Sequence, residues 1–137
     1  IKMCYSKEYS YEDMKEKIKG KGGLMSYLGT IDGREVEDRI KNGDEYAKLI
    51  YDAMIYQIGK EIGAMATVLK GKVDNIILTG GLSYSKYLVE GIKDMIKFIA
   101  EVIVYPGEDE MDALNKGVLR TLNGDEKSRI YEEEVAL

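Results

Sequence analysis

Two short apolar runs, at residues 75–78 and 102–105, are separated by a stretch of helical period at 85–98 and followed by another at 108–122. A β-α-β-α order of this kind leaves few folds open. Strands joined by a crossover helix lie parallel, so the run predicts parallel neighbours covered on both faces and an α/β class. Strand 75–78 continues directly into Thr79-Gly80-Gly81, then Leu82 gives way to a polar helix entry with Ser83, Ser85 and Lys86. Open α/β sheets bind ligands beyond the carboxyl ends of their strands. Glycine at both positions lets the backbone take positive φ and lets a flat ligand approach without meeting a Cβ. The same residues also suit a tight turn with no ligand, since Gly-Gly is common punctuation and no named phosphate-loop spacing is present.

Upstream, residues 44–70 read as a long helix capped by Asp44. Ala47, Ile50, Met54, Ile58, Ile62, Met65 and Leu69 recur at three- and four-residue spacing, which predicts a buried stripe. Leu49, Ala53 and Ala64 lie on the opposite face, and Gly59 and Gly63 predict close approach of another helix. Ser10 starts a short charged helix over 11–19, a glycine-rich segment follows at 22–29, and 34–41 reads as a helix ending at Asn42-Gly43. Two strands make a small sheet. With Ile1 rather than Met at its start, the chain reads as part of something longer, and its charged end, 125–137, reads as a surface helix or frayed tail.

Composition removes several classes of function. A chain of 137 residues, 45% hydrophobic and 33% charged, suits one soluble domain with its own core. Its net charge of −5 and interleaved acids and bases offer no basic stripe to a phosphate backbone, so nucleic acid is not an expected partner. No apolar run approaches the ~18–20 residues of a membrane span, so no membrane is expected either, and the reading is cytoplasmic. Cys4, the single cysteine, allows no internal disulfide and no CxxC zinc pair, and reads as a small apolar residue. Histidine is absent, which removes the commonest general base and the Ser-His and Cys-His systems. Chemistry here has to run on carboxylates, Lys or Arg, hydroxyls, backbone dipoles and a hard metal.

Two further segments fit that inventory. Asp32-Gly33-Arg34 sets an acid beside a guanidinium, able to hydrogen-bond a ribose and lay a planar cation against a base; it equally suits an Asp-Gly turn with Arg34 in water. Glu108, Asp109 and Glu110 follow the second strand. Acids at a helix start are favoured by the helix dipole alone, but they also suit Mg²⁺, which keeps most of its water and needs only one or two carboxylates.

Longer stretches carry a resemblance. Gly20-Lys21-Gly22-Gly23-Leu24-Met25-Ser26-Tyr27-Leu28-Gly29-Thr30, Gly59-Lys60-Glu61-Ile62-Gly63-Ala64-Met65-Ala66 and Leu69-Lys70-Gly71-Lys72-Val73-Asp74 resemble butyrate kinases. So do Ile77-Leu78-Thr79-Gly80-Gly81-Leu82-Ser83-Tyr84-Ser85 and Val104-Tyr105-Pro106-Gly107-Glu108-Asp109-Glu110-Met111. These belong to the acetate kinase group of the actin-like and sugar-kinase superfamily. The resemblance implies a partial ribonuclease-H-like, actin-like ATPase C-terminal domain with parallel strands and a long buried helix. The N-terminal domain, with the first phosphate loop and the acyl pocket, is implied to lie upstream of Ile1.

The resemblance also implies a function. It is ATP-dependent phosphorylation of a short-chain fatty acid to an acyl phosphate, and the reverse, with ATP or ADP and Mg²⁺ as cofactors and a homo-oligomeric assembly. Thr79, Gly80, Gly81 and Ser83 match the adenosine motif. Asp32, Gly33 and Arg34 match a loop that closes the adenine pocket, with Gly33 where acetate kinases carry an aromatic residue. Asp109 matches an acid that serves magnesium, with Glu108 and Glu110 beside it. Catalytic residues are expected in the upstream half. The competing expectation is a non-catalytic nucleotide-binding or assembly module built around the long helix.

Overall fold

The computed structural model describes residues 1–128 and 130, which places much of the tail read at 125–137 outside the described residues. The chain separates into two compact units, Ile1–Gly107 and Glu108–Leu137. The first runs α1 (Lys2–Tyr5), α2 (Tyr11–Ile18), α3 (Gly23–Leu28), α4 (Gly33–Lys41), α5 (Glu45–Val68), β1 (Asn75–Gly80), a 3₁₀ turn (Gly81–Tyr84), α6 (Lys86–Ile96) and β2 (Glu101–Pro106). The second holds α7 (Glu110–Leu122).

Helix starts follow local side-chain chemistry. Ser10 and Asp13 form a reciprocal capping box on α2, with the Ser10 amide donating to the Asp13 carboxylate at 2.8 Å and the Asp13 amide to Ser10 Oγ at 3.1 Å. Asp44 accepts from the Ala47 amide at 2.9 Å and Ser85 from the Leu88 amide at 2.9 Å, satisfying donors that α5 and α6 would leave bare. Arg39 links three elements: its Nε donates to Asp44 at 2.9 Å, and its Nη1 to the Leu28 carbonyl at the end of α3 at 3.0 Å. The glycine-rich segment 22–29 folds as α3 and ends at Gly29 in the left-handed conformation, φ 74°. The segment read only as glycine-rich is thus a short helix with glycines at its boundaries. Cys4 is exposed on α1 rather than packed as a small apolar residue.

The core is Val36 of α4, Ala47, Tyr51 and Ile55 of α5, and Leu88, Ile92 and Ile96 of α6, with Ile76, Leu78 and Val102 of the sheet packed against it. The buried line on α5 is Ala47, Tyr51, Ile55 and Gly59; Ala47 is shared with the expected stripe, and beyond it the line runs one position away. Met54, Ile58 and Ile62 are only half-buried, and Met65 and Leu69 are exposed. Gly59 explains the shift. A Cβ there would stand 2.8 Å from Met95 Sδ and 3.1 Å from Met95 Cβ, and a Cβ on Gly91 would stand 3.0 Å from Ile55 Cγ2. α5 and α6 therefore meet at facing glycines. Gly63, expected to share that role, faces open space.

β1 and β2 pair in parallel from Asn75↔Glu101 to Gly80↔Pro106, as the crossover order requires. Within the first unit only one face of the pair is covered: Ile76 and Leu78 turn to the core while Ile77 is 60% exposed. Among the described residues no helix is long and apolar enough to cross a membrane.

The glycine contact yields a comparison of two variants. Both Gly59→Ala and Gly63→Ala gain about 1 kcal/mol of helix propensity, but only the first overpacks a contact, at a cost of about 1–3 kcal/mol. In urea titrations Gly59→Ala should unfold at lower denaturant than Gly63→Ala. Equal midpoints would show that Gly59 does not govern the approach of α6.

Candidate functional site

The carboxyl ends of β1 and β2 are fastened together. The Gly80 amide donates to the Gly107 carbonyl at 3.1 Å and the Gly107 amide to the Gly80 carbonyl at 3.2 Å. Both residues have left-handed φ, 87° and 99°, which a side chain would strain. Gly107 is constrained twice, because a Cβ on it would stand 2.7 Å from the Tyr84 hydroxyl. Thr79 Oγ1 donates to the Gly107 carbonyl at 3.3 Å, and buried Ser83 donates to the Thr79 carbonyl at 2.8 Å. The hydroxyl protons of Thr79 and Ser83 thus hold the turn, and each oxygen keeps its capacity to accept.

Gly81 differs from Gly80. It does not have positive φ, and a Cβ on it would meet no atom within 4 Å. The conformational demand expected at both glycines therefore rests on Gly80 alone. What Gly81 provides is bare space at the mouth of the β-α unit.

The Asp32-Gly33-Arg34 segment starts α4. Asp32 Oδ1 accepts from the Arg34 amide at 2.9 Å, while the Asp32 amide donates to buried Thr30 at 3.1 Å. Arg34 also returns its side chain to Asp32, Nε to Oδ1 at 3.0 Å and Nη2 to Oδ2 at 2.7 Å, in the two-point fork that suits guanidinium and carboxylate. Hydrogen bonds from the Arg34 side chain and then its amide hold the Asp32 carboxyl down at about 2, from an ordinary 3.8. The Arg34 side chain is 91% exposed, so this pair is a feature of the rim rather than of the core.

Gly33 joins the two segments. A Cβ on it would stand 3.1 Å from the Tyr51 hydroxyl and 3.3 Å from Leu82 Cδ2, so the start of α4 lies directly against the 3₁₀ turn that follows Gly80. Two of the three segments singled out in the sequence are thus neighbours. Leu82, Tyr84 and Tyr51 were not singled out. Leu82 and Tyr84 carry no signal beyond their place after the glycines, and Tyr51 sits one position off the apolar stripe read along α5.

Glu108, Asp109 and Glu110 belong to the second unit. Asp109 occupies the position before α7 without a side-chain capping bond, and Glu110 is the first residue of the helix, two residues later than expected. All three are exposed, and the nearby Asp112 is taken by Lys116 at 2.5 Å. Among the described residues no three acids, cysteines or histidines gather as a metal-holding group. The donor type still suits a hydrated hard cation, which asks for one or two carboxylates rather than a cage.

The Acetokinase family matches residues 3–117. A protein named probable butyrate kinase 2 from Caldanaerobacter subterraneus subsp. tengcongensis is 60% identical over 131 residues, covering 96% of this chain and 37% of that relative. Butyrate kinase 1 of Clostridium acetobutylicum is 50% identical over 131 residues with the same coverage. The chain thus spans little more than a third of the length of these relatives. Among solved structures, a Porphyromonas gingivalis acetate kinase superposes with a TM-score of 0.72 at 26% identity, over 85% of this chain and 36% of that one.

The rim pair can be read by titration. Because the folded value of Asp32 lies below its ordinary 3.8, the stabilisation from its hydrogen bonds is present above pH 3.8 and is lost as pH falls through about 2. NMR titration of the Asp32 carboxyl should give a midpoint near 2 that rises toward 3.8 in Arg34→Ala. A midpoint that Arg34→Ala leaves in place would remove the fork as its cause.

Proposed function

The chain belongs to the Acetokinase family, and from that premise we propose that it forms the adenosine-holding side of a cytoplasmic kinase that transfers the γ-phosphoryl of ATP to a short-chain fatty acid such as butanoate. The products are the acyl phosphate and ADP, and the reaction also runs in reverse. Its fold is the α/β, actin-like ATPase fold with parallel strands. The observation that carries the reading is the open Gly81 backbone beside Gly80, with the Asp32–Arg34 rim brought against it through Gly33 and Leu82.

In this reading Gly80 and Gly81 let the base and ribose pass close to the backbone, and Thr79 and Ser83 keep the turn in that shape. Asp32 accepts from ribose hydroxyls, and the Arg34 plane lies at the edge of the base. Leu82 supplies apolar surface where Gly33 has no side chain. Asp109, flanked by Glu108 and Glu110, would hold Mg²⁺ through water, in keeping with the reluctance of that ion to shed its hydration. When bound, ATP and Mg²⁺ supply the phosphoryl group and neutralise its charge. Phosphoryl transfer otherwise asks a protein for positioning and electrostatics, which is consistent with a chain lacking histidine.

The rest of the machinery, substrate selection included, is proposed to come from an N-terminal domain of the same enzyme. Two features support a further partner for this unit. An apolar groove of about 540 Å³ runs along α5 and β1 between Ile62, Met65, Leu69, Val73, Ile76 and Ile99. A second, of about 440 Å³, lies nearer the start of α5 between Leu24, Tyr27, Ile50 and Met54, with Gln57 lining both. A helix apolar on several sides belongs inside a larger body. Assembly into a homo-oligomer is part of the same proposal.

Full-length protein given ATP, Mg²⁺ and butanoate should form acyl phosphate, trapped as the hydroxamate. No hydroxamate from any short fatty acid would overturn the reaction. Gly81→Val should bind ADP at least ~10-fold more weakly by calorimetry, ~1.4 kcal/mol, at an unchanged melting temperature, because the new side chain meets ligand and not protein. Wild-type affinity in that variant would remove the nucleotide from this turn. Asp109→Asn should need more Mg²⁺ for half-maximal activity, and unaltered metal dependence would dismiss Asp109.

A further inference from the structure

Tyr51 is fully buried on α5, yet its hydroxyl reaches the place where the two nucleotide segments touch. That oxygen is 3.1 Å from the position a Cβ would take on Gly33, and Leu82 Cδ2 is 3.3 Å from the same point. The hydroxyl donates to Glu37 Oε1 at 3.4 Å, on the first turns of α4. The ring is fixed from the other side. It stacks on Tyr87 of α6 with centroids 5.9 Å apart and planes at 30°, and the Tyr87 hydroxyl donates to Asp52 at 2.6 Å. Asp52 in turn is held by Lys48 at 2.5 Å. Tyr51 therefore touches or leads to α4, the 3₁₀ turn and α6 from a single rigid position on the core helix.

We propose that Tyr51 is a positioning residue that sets the spacing between the Asp32–Arg34 rim and the Gly81–Tyr84 turn, and through that spacing tunes nucleotide affinity without contacting the nucleotide. The inference rests on the nucleotide reading of this mouth. Its physical basis is a three-body contact. Gly33 has no side chain, so the Tyr51 hydroxyl and the Leu82 methyl close in on the position a Cβ would take, 3.1 and 3.3 Å away, a few tenths of an ångström tighter than ordinary contact. Removing the hydroxyl leaves a gap under Gly33; adding a methyl at Gly33 pushes the rim and the turn apart. Doing both exchanges one small group for another, since the next Tyr51 atom, Cζ, is at an ordinary contact distance of 3.9 Å from that Cβ position. Each single change should disturb the spacing and the pair should largely restore it.

Tyr51→Phe, Gly33→Ala and the double variant, made in the full-length protein, give two independent readings. The first is hydrogen exchange without nucleotide. Each single variant should accelerate exchange at the amides of both segments, residues 33–36 and 82–88, and the double variant should return both toward wild type. Normal exchange in either segment of Tyr51→Phe overturns the positioning role. The second is ADP affinity by calorimetry, where each single variant should lose roughly 3- to 10-fold and the double variant should lose less than either, the non-additivity of groups in contact. Additive losses overturn the proposal. If wild-type protein binds no ADP, the nucleotide reading fails and the affinity claim with it, a result distinct from altered exchange, which tests the Tyr51 contact alone. A melting temperature shared by wild type and Tyr51→Phe completes the supporting outcome; a global drop matching the affinity loss would make Tyr51 merely structural and overturn the role.

Discussion

The arrangement depends on how closely α6 approaches α5. That approach is possible because glycine stands on each helix where the other presses in, Gly59 beneath Met95 and Gly91 beneath Ile55. It fixes which side of α5 becomes core, and it carries Leu88, Ile92 and Ile96 into the line of Ala47, Tyr51 and Ile55. Helix surfaces this close exclude alternatives in register, because a shift of one residue would drive side chains into backbone. The start of α6 inherits that precision. Ser85 caps α6 immediately after the 3₁₀ turn, so the position of the turn is a consequence of helix packing several residues away.

From there the site is assembled by short links. α6 fixes the turn, the turn presents Leu82, Leu82 meets Gly33, and Gly33 opens α4, whose Val36 returns to the same core. The strand ends contribute a separate restraint, since Gly80 and Gly107 exchange two backbone hydrogen bonds. A mouth built in this way is rigid in its backbone. For the nucleotide proposed here, that would keep the cost of ordering loops on binding small.

Much of this was legible in the residues, for identifiable reasons. The parallel strands follow from apolar runs with a crossover between them, and the caps at Ser10, Asp44 and Ser85 follow from side chains that satisfy helix amides. The buried line of α5 was not legible. Apolar residues lie on several sides of that helix, so period alone selects a stripe without knowing where the neighbour sits, and the deciding residue, Gly59, has no side chain to count. α3 was concealed by the same residue type, because glycine both breaks loops and bounds helices. The likeness of Asp32-Gly33-Arg34 to a pocket loop singled out the segment, but the contact of Gly33 with Tyr51 and Leu82 spans distant parts of the chain and leaves no local pattern. Gly80 and Gly81 look identical in sequence; only the backbone separates the one that bends from the one that yields space.

The forked pair at the rim has an electrostatic consequence. The chain carries a net charge of −5, and a polyanion approaching it meets an unfavourable long-range field. An isolated carboxylate at the mouth would add to that repulsion at short range. With Arg34 locked on Asp32 at 2.7 Å, the rim presents a compact dipole rather than a charge. A dipole's field decays faster with distance than that of a monopole. For the nucleotide proposed here, the acid would therefore offer acceptor atoms at contact while contributing little to the barrier that an incoming phosphate chain has to cross.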